Sequence, residues 1–154
     1  MNRFVRCLAS GAALALVAVS FAPAALAQAS TKISITTGGT GGVYYPLGGG
    51  MANVLSKYVP GLQATAEVTG GSVDNLKLLG TGKSEVGFAM VDAVNDAAQG
   101  LDKFKGAKVP ARTLMVLYPN RMQVVTIEGT GIKSMADLKG KRVSTGSPGS
   151  GVEV

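Results

Sequence analysis

Three glycine-rich clusters lie where the sequence can place backbone N–H groups around a negatively charged ligand. They occupy residues 38–42, 70–71 and 146–151, and each follows a short run of strand-forming residues. Glycine allows a chain to turn sharply or to approach a ligand closely. N–H groups at the start of a helix attract anions, because they lack partners and carry the positive end of the helix dipole. The pattern predicts a cradle for a carboxylate.

The composition excludes most side-chain catalysis. The 154 residues include no histidine and one cysteine, Cys7. A chain without histidine has no imidazole base, no triad built on histidine and no histidine metal ligand. Cys7 falls in a segment that we expect to be removed, which leaves neither a disulfide nor a thiol nucleophile. We expect a protein that is not an enzyme and that carries no cofactor or metal.

The first residues resemble a secretion signal. Arg3 and Arg6 precede an apolar run over residues 8–22, and residues 25–27 (ALA) fit the pattern that signal peptidase cleaves. The run is shorter than the ~20 residues that cross a bilayer. We expect residues 1–27 to be cleaved before Gln28 and the remaining chain to reside in the periplasm.

Nucleic-acid and nucleotide binding are not expected. Basic residues outnumber acidic ones, 15 to 9, but aromatic residues are not interleaved with them. A dinucleotide fingerprint beginning at Gly39 fails because Tyr44 stands in place of its third glycine. Residues 82–84 (GKS) look like the end of a phosphate-binding loop, but Lys77 occupies the position of its first glycine.

Strands alternate with helices along the sequence, which predicts an α/β fold with a parallel sheet. We expect strands at residues 32–37, 63–68, 86–90, 113–117, 124–127 and 142–145. We expect helices at residues 46–58, 73–79, 92–99 and 134–138, with Ser72 and Ser134 as N-caps and Gly100 as a C-terminal stop. Ligands of such sheets bind beyond the carboxyl ends of the strands, so the three glycine clusters should gather at one edge.

Residues 36–48 (TTGGTGGVYYPLG) resemble the opening of the TAXI family, the extracytoplasmic solute receptors of TRAP transporters. The opening block is specific, whereas residues 137–141 (DLKGK) occur in many periplasmic binding proteins and indicate mainly the fold. Further matches follow in the family's order at residues 69–76, 90–92, 96–97, 117–120, 123–125, 132–143 and 146–151.

The resemblance implies a two-lobed periplasmic binding protein of type II. Such a protein captures a small organic anion, here a glutamate-like amino acid or a dicarboxylate, and as a monomer delivers it to membrane permease subunits. Residues 28–118 would form lobe one, and residues 119–154 would begin lobe two. Because lobe two would be incomplete, we expect a truncated chain. Such a chain should not close a cleft around a solute, and it should not bind a solute with micromolar affinity.

The resemblance also implies a set of ligand-binding residues. Tyr44 would pack on the solute, Asp92 would receive an amino group, and Val152 stands where the family commonly has a hydroxyl residue. The expected ligand-binding residues are Gly39, Thr40, Gly41, Gly42, Tyr44, Ser72, Asn75, Asp92, Ser147, Ser150 and Gly151.

Structural roles remain open for several of these residues. Tyr44 would also suit the packing of a helix start, and Ser72 and Asp92 would also suit helix caps. Two other functions also stay open. One is a periplasmic sensing domain that feeds a signalling protein, and the other is a secreted α/β hydrolase using Asp92 or Asp96 with a serine. The chain lacks the G-x-S-x-G motif of the latter.

Overall fold

The computed structural model describes residues 30–153. The predicted signal segment, including Cys7 and the cleavage point before Gln28, lies outside the described residues. Within them, no helix is both long enough and apolar enough to cross a membrane. The elements are β1 (Thr31–Thr36), α1 (Tyr44–Tyr58), β2 (Leu62–Glu67), α2 (Ser72–Gly80), β3 (Val86–Gly87) and α3 (Val91–Gln99), with 3-10 turns at Asp102–Phe104 and Met135–Leu138.

The three strands form one parallel sheet in the order β2-β1-β3. Ile35 at the centre of the sheet pairs with Ala66 on one side and with Val86 on the other. A parallel sheet whose strands are connected through helices is the mixed α/β architecture that the alternation predicts, and that prediction is confirmed.

Helix α1 packs closely on the sheet because it carries glycine at the contact. A Cβ atom at Gly48 would overlap the methyl group of Thr37, the residue that follows β1. Pro46 lies in the first helical turn, where the absence of an N–H group breaks no intrahelical bond. The helix ends at Tyr58, shortly before Pro60. Gly48 therefore determines how closely the helix approaches the sheet, and the prolines near its two ends determine its length.

Two apolar clusters stabilise this part of the chain. One lies between α1 and the sheet and includes Ile35, Ala52 and Phe88. The other joins α2 and α3 to the segment that follows them, and it comprises Val73, Leu76, Ala93, Ala97, Phe104 and Val109.

Several sequence predictions need correction. The strands expected at residues 113–117, 124–127 and 142–145 do not form in the described chain, and β3 contains two residues where five were expected. Strands need pairing partners and a buried face, and the side chains of these three segments are mostly exposed. The helix expected at residues 134–138 is a single 3-10 turn.

The helix boundaries are close to those expected. Gly100 ends α3 in the left-handed conformation, with a φ of 74°, as predicted. Ser72 is wrong as an N-cap, because it is the first helical residue of α2 and Gly71 occupies the capping position.

Candidate functional site

Asn75 joins the carboxyl ends of the three strands. Its Nδ2 donates to the carbonyl oxygens of Thr37, at 2.6 Å, and Phe88, at 2.7 Å. Its Oδ1 accepts a hydrogen bond of 2.6 Å from Thr69 Oγ1, and the residue is 0% exposed. Both N–H donors of the amide are therefore used inside the protein. This network holds the loops after β1, β2 and β3 in one arrangement.

The first glycine cluster forms an exposed turn at this edge. Gly42 N donates to Gly39 O at 2.9 Å, and Gly39, Thr40 and Gly41 are all exposed. The chain then enters α1 at Tyr44. The turn therefore presents backbone groups to solvent beside the end of β1.

The three glycine clusters meet at Gly71. A Cβ atom at Gly38 would lie 4.0 Å from Gly71 Cα, and one at Gly71 would lie 3.2 Å from Ser150 Cα. Gly71 has a φ of 125°, which L-residues with side chains rarely adopt. Glycine is thus required at Gly71 both by the backbone conformation and by the approach of the third cluster.

The third cluster packs directly on the start of α2. The carbonyl oxygen of Gly149 accepts hydrogen bonds from Val73 N at 3.0 Å and from Asp74 N at 3.3 Å. Gly149 N in turn donates to Glu153 Oε2 at 3.0 Å. These two backbone N–H groups were expected to face a bound anion. In the structure they donate to a carbonyl oxygen of the same chain.

Ser72 and Asp92 both have bonding partners within the protein. Ser72 is buried, and its Oγ accepts a 3.0 Å hydrogen bond from Met90 N, at the junction between β3 and α3. Asp92 is exposed in the first turn of α3, where its Oδ1 accepts a hydrogen bond from Ala93 N at 2.8 Å. Neither residue is a helix cap, because Gly71 and Met90 occupy the capping positions of α2 and α3. Ligand binding by Ser72, Asn75 and Asp92 stays a prediction.

Tyr44 stands between the sheet and the segment that follows α3. Its ring centre lies 5.2 Å from that of Phe88, and its hydroxyl accepts a hydrogen bond from Asn120 Nδ2 at 3.3 Å. Burial raises the pKa of Tyr118 above its ordinary value of 10.0, and the nearby Tyr44 raises it further. Through Tyr44, the start of α1 therefore contacts the segment of residues 112–120.

A largely apolar cavity of about 910 Å³ lies along β3, beside residues 109–120. Its volume is within the usual range for small-molecule pockets. Of the predicted site residues, Tyr44 and Asp92 line it. Phe88, Met90 and Tyr118 also line it and were not predicted as site residues, since apolar residues next to a strand look like ordinary core residues in the sequence.

The remaining predicted site residues are Ser147, Ser150 and Gly151 of the third glycine cluster. They lie either in its exposed part or at its contact with α2. Ser147 is exposed, whereas Gly151 is buried beside Ser72 and Met90. The Oγ of Ser150 is buried and makes no hydrogen bond within residues 30–153. In that same range, no group of three or more acidic or cysteine side chains is arranged to hold a metal ion.

The chain was compared with models of known protein families. The model of the NMT1-like family, a periplasmic binding family, matches residues 35–154. The matched region begins inside β1 and contains all three glycine clusters.

Proposed function

The chain belongs to the NMT1-like family of periplasmic binding proteins, and from this premise we propose that it is the solute receptor of a TRAP-type transporter. Family membership gives the general role, which is solute binding. The specific assignment to the TAXI class rests on the resemblance of residues 36–48 described above. In this role the protein delivers its solute to the membrane permease subunits.

The proposed solute is a small organic anion, either a glutamate-like amino acid or a dicarboxylate. The observation that supports it best is the meeting of the three glycine clusters at Gly71, beside the start of α2. Backbone N–H groups gathered at a helix start suit a carboxylate, which would here replace the Gly149 carbonyl as the acceptor for Val73 N and Asp74 N. A net positive charge favours the approach of anions.

Individual roles follow from position. The exposed turn at residues 39–42 offers its backbone to the solute, and Tyr44 offers an aromatic wall. Asp92 offers a carboxylate for an amino group, at the start of α3. Ser72 and Asn75 would have to exchange their present hydrogen bonds to reach a solute, so we place them behind the site as residues that position it.

We propose binding without chemical turnover. The chain contains no histidine to act as a base. No side chain in the described residues hydrogen bonds to Ser150 Oγ, so no base is in place to activate this hydroxyl as a nucleophile. This arrangement favours a receptor over a hydrolase.

The test is an NMR titration of the secreted chain with L-glutamate, succinate and, as an uncharged comparison, succinamide. We expect saturable shifts for the amides of residues 39–42, 71 and 150 with at least one carboxylate and none with succinamide. Gly71→Ala should abolish the shifts, because alanine cannot adopt the required φ without strain and would approach Ser150 closely.

Gly50→Ala is the matched control. Gly50 is exposed in α1, and a Cβ atom there meets nothing within 4 Å. This variant should bind as the wild type does. Absence of saturable shifts at all the named amides in the wild-type chain would contradict the proposal. Crosslinking in the membrane is a second measurement. A transport receptor should crosslink to permease subunits, whereas a domain that feeds a signalling protein should not.

A further inference from the structure

The cavity of about 910 Å³ lies beside the free edge of the sheet, and we call it the edge slot. Strand β3 is the last strand in the order β2-β1-β3, and no residue of β1 or β2 lines the slot. The opposite wall is the run of residues 113–117, whose backbone groups make no hydrogen bond within residues 30–153. The slot therefore lies between two backbone runs that can each pair with an added strand. A small apolar molecule would fill the volume but would leave both runs unpaired.

The two walls of the edge slot run in the same direction. Helix α2 leads into β3, so its last residue, Gly80, lies at the amino edge of the sheet. Val109 is close to it, since a Cβ atom at Gly80 would lie 3.2 Å from Val109 Cγ2. At the carboxyl edge, Asn120 donates a hydrogen bond to Tyr44 OH. One antiparallel strand between the walls would thus pair with both of them.

Helices supply the remaining walls of the edge slot. Apolar and aromatic side chains of all three helices line it, namely Tyr44 and Met51 of α1, Leu76 and Leu79 of α2, and Val94 of α3. Strands that are covered by helices on their faces are apolar along most of their length. The slot therefore suits an apolar strand.

The charged residues of the edge slot lie near its ends. Glu85 precedes β3 and Arg112 precedes the opposite wall, so both are at the amino edge. Asp92, in the first turn of α3, is at the carboxyl edge. An antiparallel strand enters at the carboxyl edge and ends at the amino edge. It would be complementary in charge if it began with a basic residue beside Asp92 and ended with an acidic residue beside Arg112.

Residues 121–128 (RMQVVTIE), which we call the insert segment, have this pattern. Arg121 and Glu128 enclose an uncharged run, and they are as far apart in sequence as Glu85 and Asp92. The backbone groups of residues 121–126 make no hydrogen bond in the described part of the chain. The large apolar side chains of the segment are all exposed: Met122, Val124, Val125 and Ile127.

The insert segment is poorly placed to enter the slot of its own chain. It follows the slot wall directly, so the chain would have to reverse at Pro119–Asn120. The tight turns that suit a β-hairpin, types I′ and II′, require a positive φ at their first central residue. Proline cannot adopt one, because its ring fixes φ near −65°. A second molecule offers the same slot without this reversal.

We infer that the chain forms a dimer in which the insert segment of each copy enters the edge slot of the other as an antiparallel strand. The exchange is reciprocal because each copy carries both the slot and the segment. The dimer does not depend on the proposed function. It replaces the monomer that the family resemblance implies, so the oligomeric state decides between the two.

Analytical ultracentrifugation of the secreted chain over a range of concentrations tests the dimer. The chain should sediment as a monomer when dilute and as a dimer when concentrated, and the amides of residues 122–127 should exchange more slowly in the dimer. A monomer at every concentration overturns the inference. Aggregates of increasing size without a dimer also overturn it, because reciprocal exchange closes at two copies.

Val125→Lys tests whether the insert segment is the part that enters the slot. The lysine would bring an unpaired charge into the uncharged middle of the slot, so the dimer Kd should rise at least about 100-fold. Val143→Lys is the matched control, because Val143 is also an exposed valine of a strand-forming run and lies outside the segment. Both variants should fold as monomers. Equal dimer affinity in the two variants overturns the inference.

A charge exchange tests the antiparallel direction. Glu128→Arg would face Arg112 with a like charge and should weaken the dimer about 3- to 10-fold. Adding Arg112→Glu to this variant reverses the pair and should restore the wild-type affinity. Both residues are exposed, so neither change should disturb the fold of the monomer. An unchanged affinity in Glu128→Arg, or a loss that the second substitution does not restore, overturns the antiparallel insertion.

Discussion

Residues 30–111 and residues 112–153 contain similar apolar runs but fold very differently. In the first region, Ile35 of β1 is fully buried between two neighbouring strands. In the second, Val116 and Val125 lie in runs of comparable composition but are 88% and 85% exposed. The difference shows that strand-forming residues become a strand only when a partner edge and a buried face are both present.

The second region is nevertheless attached to the first at defined places. Asn120 donates a hydrogen bond to Tyr44 OH, and Gly149 O accepts two hydrogen bonds from the start of α2. Both contacts fall at the carboxyl edge of the sheet. The second region is thus linked to the first through polar groups near the candidate site, although its own apolar side chains remain largely exposed.

The largest expected difference between the two regions is in the free energy of unfolding that is lost when one leucine in each region is replaced by alanine. Leu76→Ala removes a side chain that is 1% exposed in the α2–α3 cluster, and we expect a loss of about 4 kcal/mol in the free energy of unfolding. Leu114→Ala truncates a side chain that is 75% exposed, so the change should stay within about 0.5 kcal/mol. Urea unfolding followed by circular dichroism measures both. Equal losses would show that the second region has a core of its own.

A somewhat smaller loss is expected from Asn75→Ala. The substitution leaves the carbonyl oxygens of Thr37 and Phe88 and the hydroxyl of Thr69 without this partner, which should cost about 3 kcal/mol. Asn95→Ala is the control, because Asn95 is exposed on α3 and, within residues 30–153, its side chain accepts a hydrogen bond only from Gln99; we expect a loss of less than about 0.5 kcal/mol. Urea titrations of the two variants test this. Similar midpoints would mean that Asn75 does not hold the strand ends together.

The smallest expected effect is that of pH on the 3-10 turn Met135–Leu138 in the second region. The backbone N–H of Lys133, followed by the hydroxyl and N–H of Ser134, lowers the pKa of Asp137 below its ordinary value of 3.8. Since the pKa is lower in the folded turn, the stabilisation is present above pH 3.8 and is lost as the pH falls through the folded value. We expect the NMR signals of the turn to change only below pH 3.8.

Substitutions identify the carboxylate responsible. Asp137→Asn should remove this acid transition, whereas Glu128→Gln, in an exposed part of the same region, should leave it in place. An Asp137 carboxyl that titrates at or above 3.8 in the NMR experiment would show that these hydrogen bonds do not form in solution.

Much of the first region was predictable because its signals are local. The alternation of strands and helices predicted β1 to β3 and α1 to α3, and Gly100 marked the end of α3. The same local signals predicted three strands in residues 112–153 that do not form. Strand propensity contains no information on whether a partner edge is available.

The candidate site was predictable only in outline. The glycine clusters indicated three turns near one edge, and the structure brings them together at Gly71. The apolar cavity wall at Phe88 and Met90 carried no distinctive sequence signal. The contact between Gly149 and α2 was not foreseen either, because a backbone carbonyl is present at every residue.

The sequence by itself determined the order of the elements, their approximate ends and the glycines that permit close approach, since these depend on residues near one another in the chain. Only the tertiary structure decided what those glycines approach. Asn75 bonds to residues 38 positions before it and 13 after it, and Gly149 bonds to Val73. Such hydrogen bonds depend on how distant segments pack, so they arise only once the sheet and its helices have assembled.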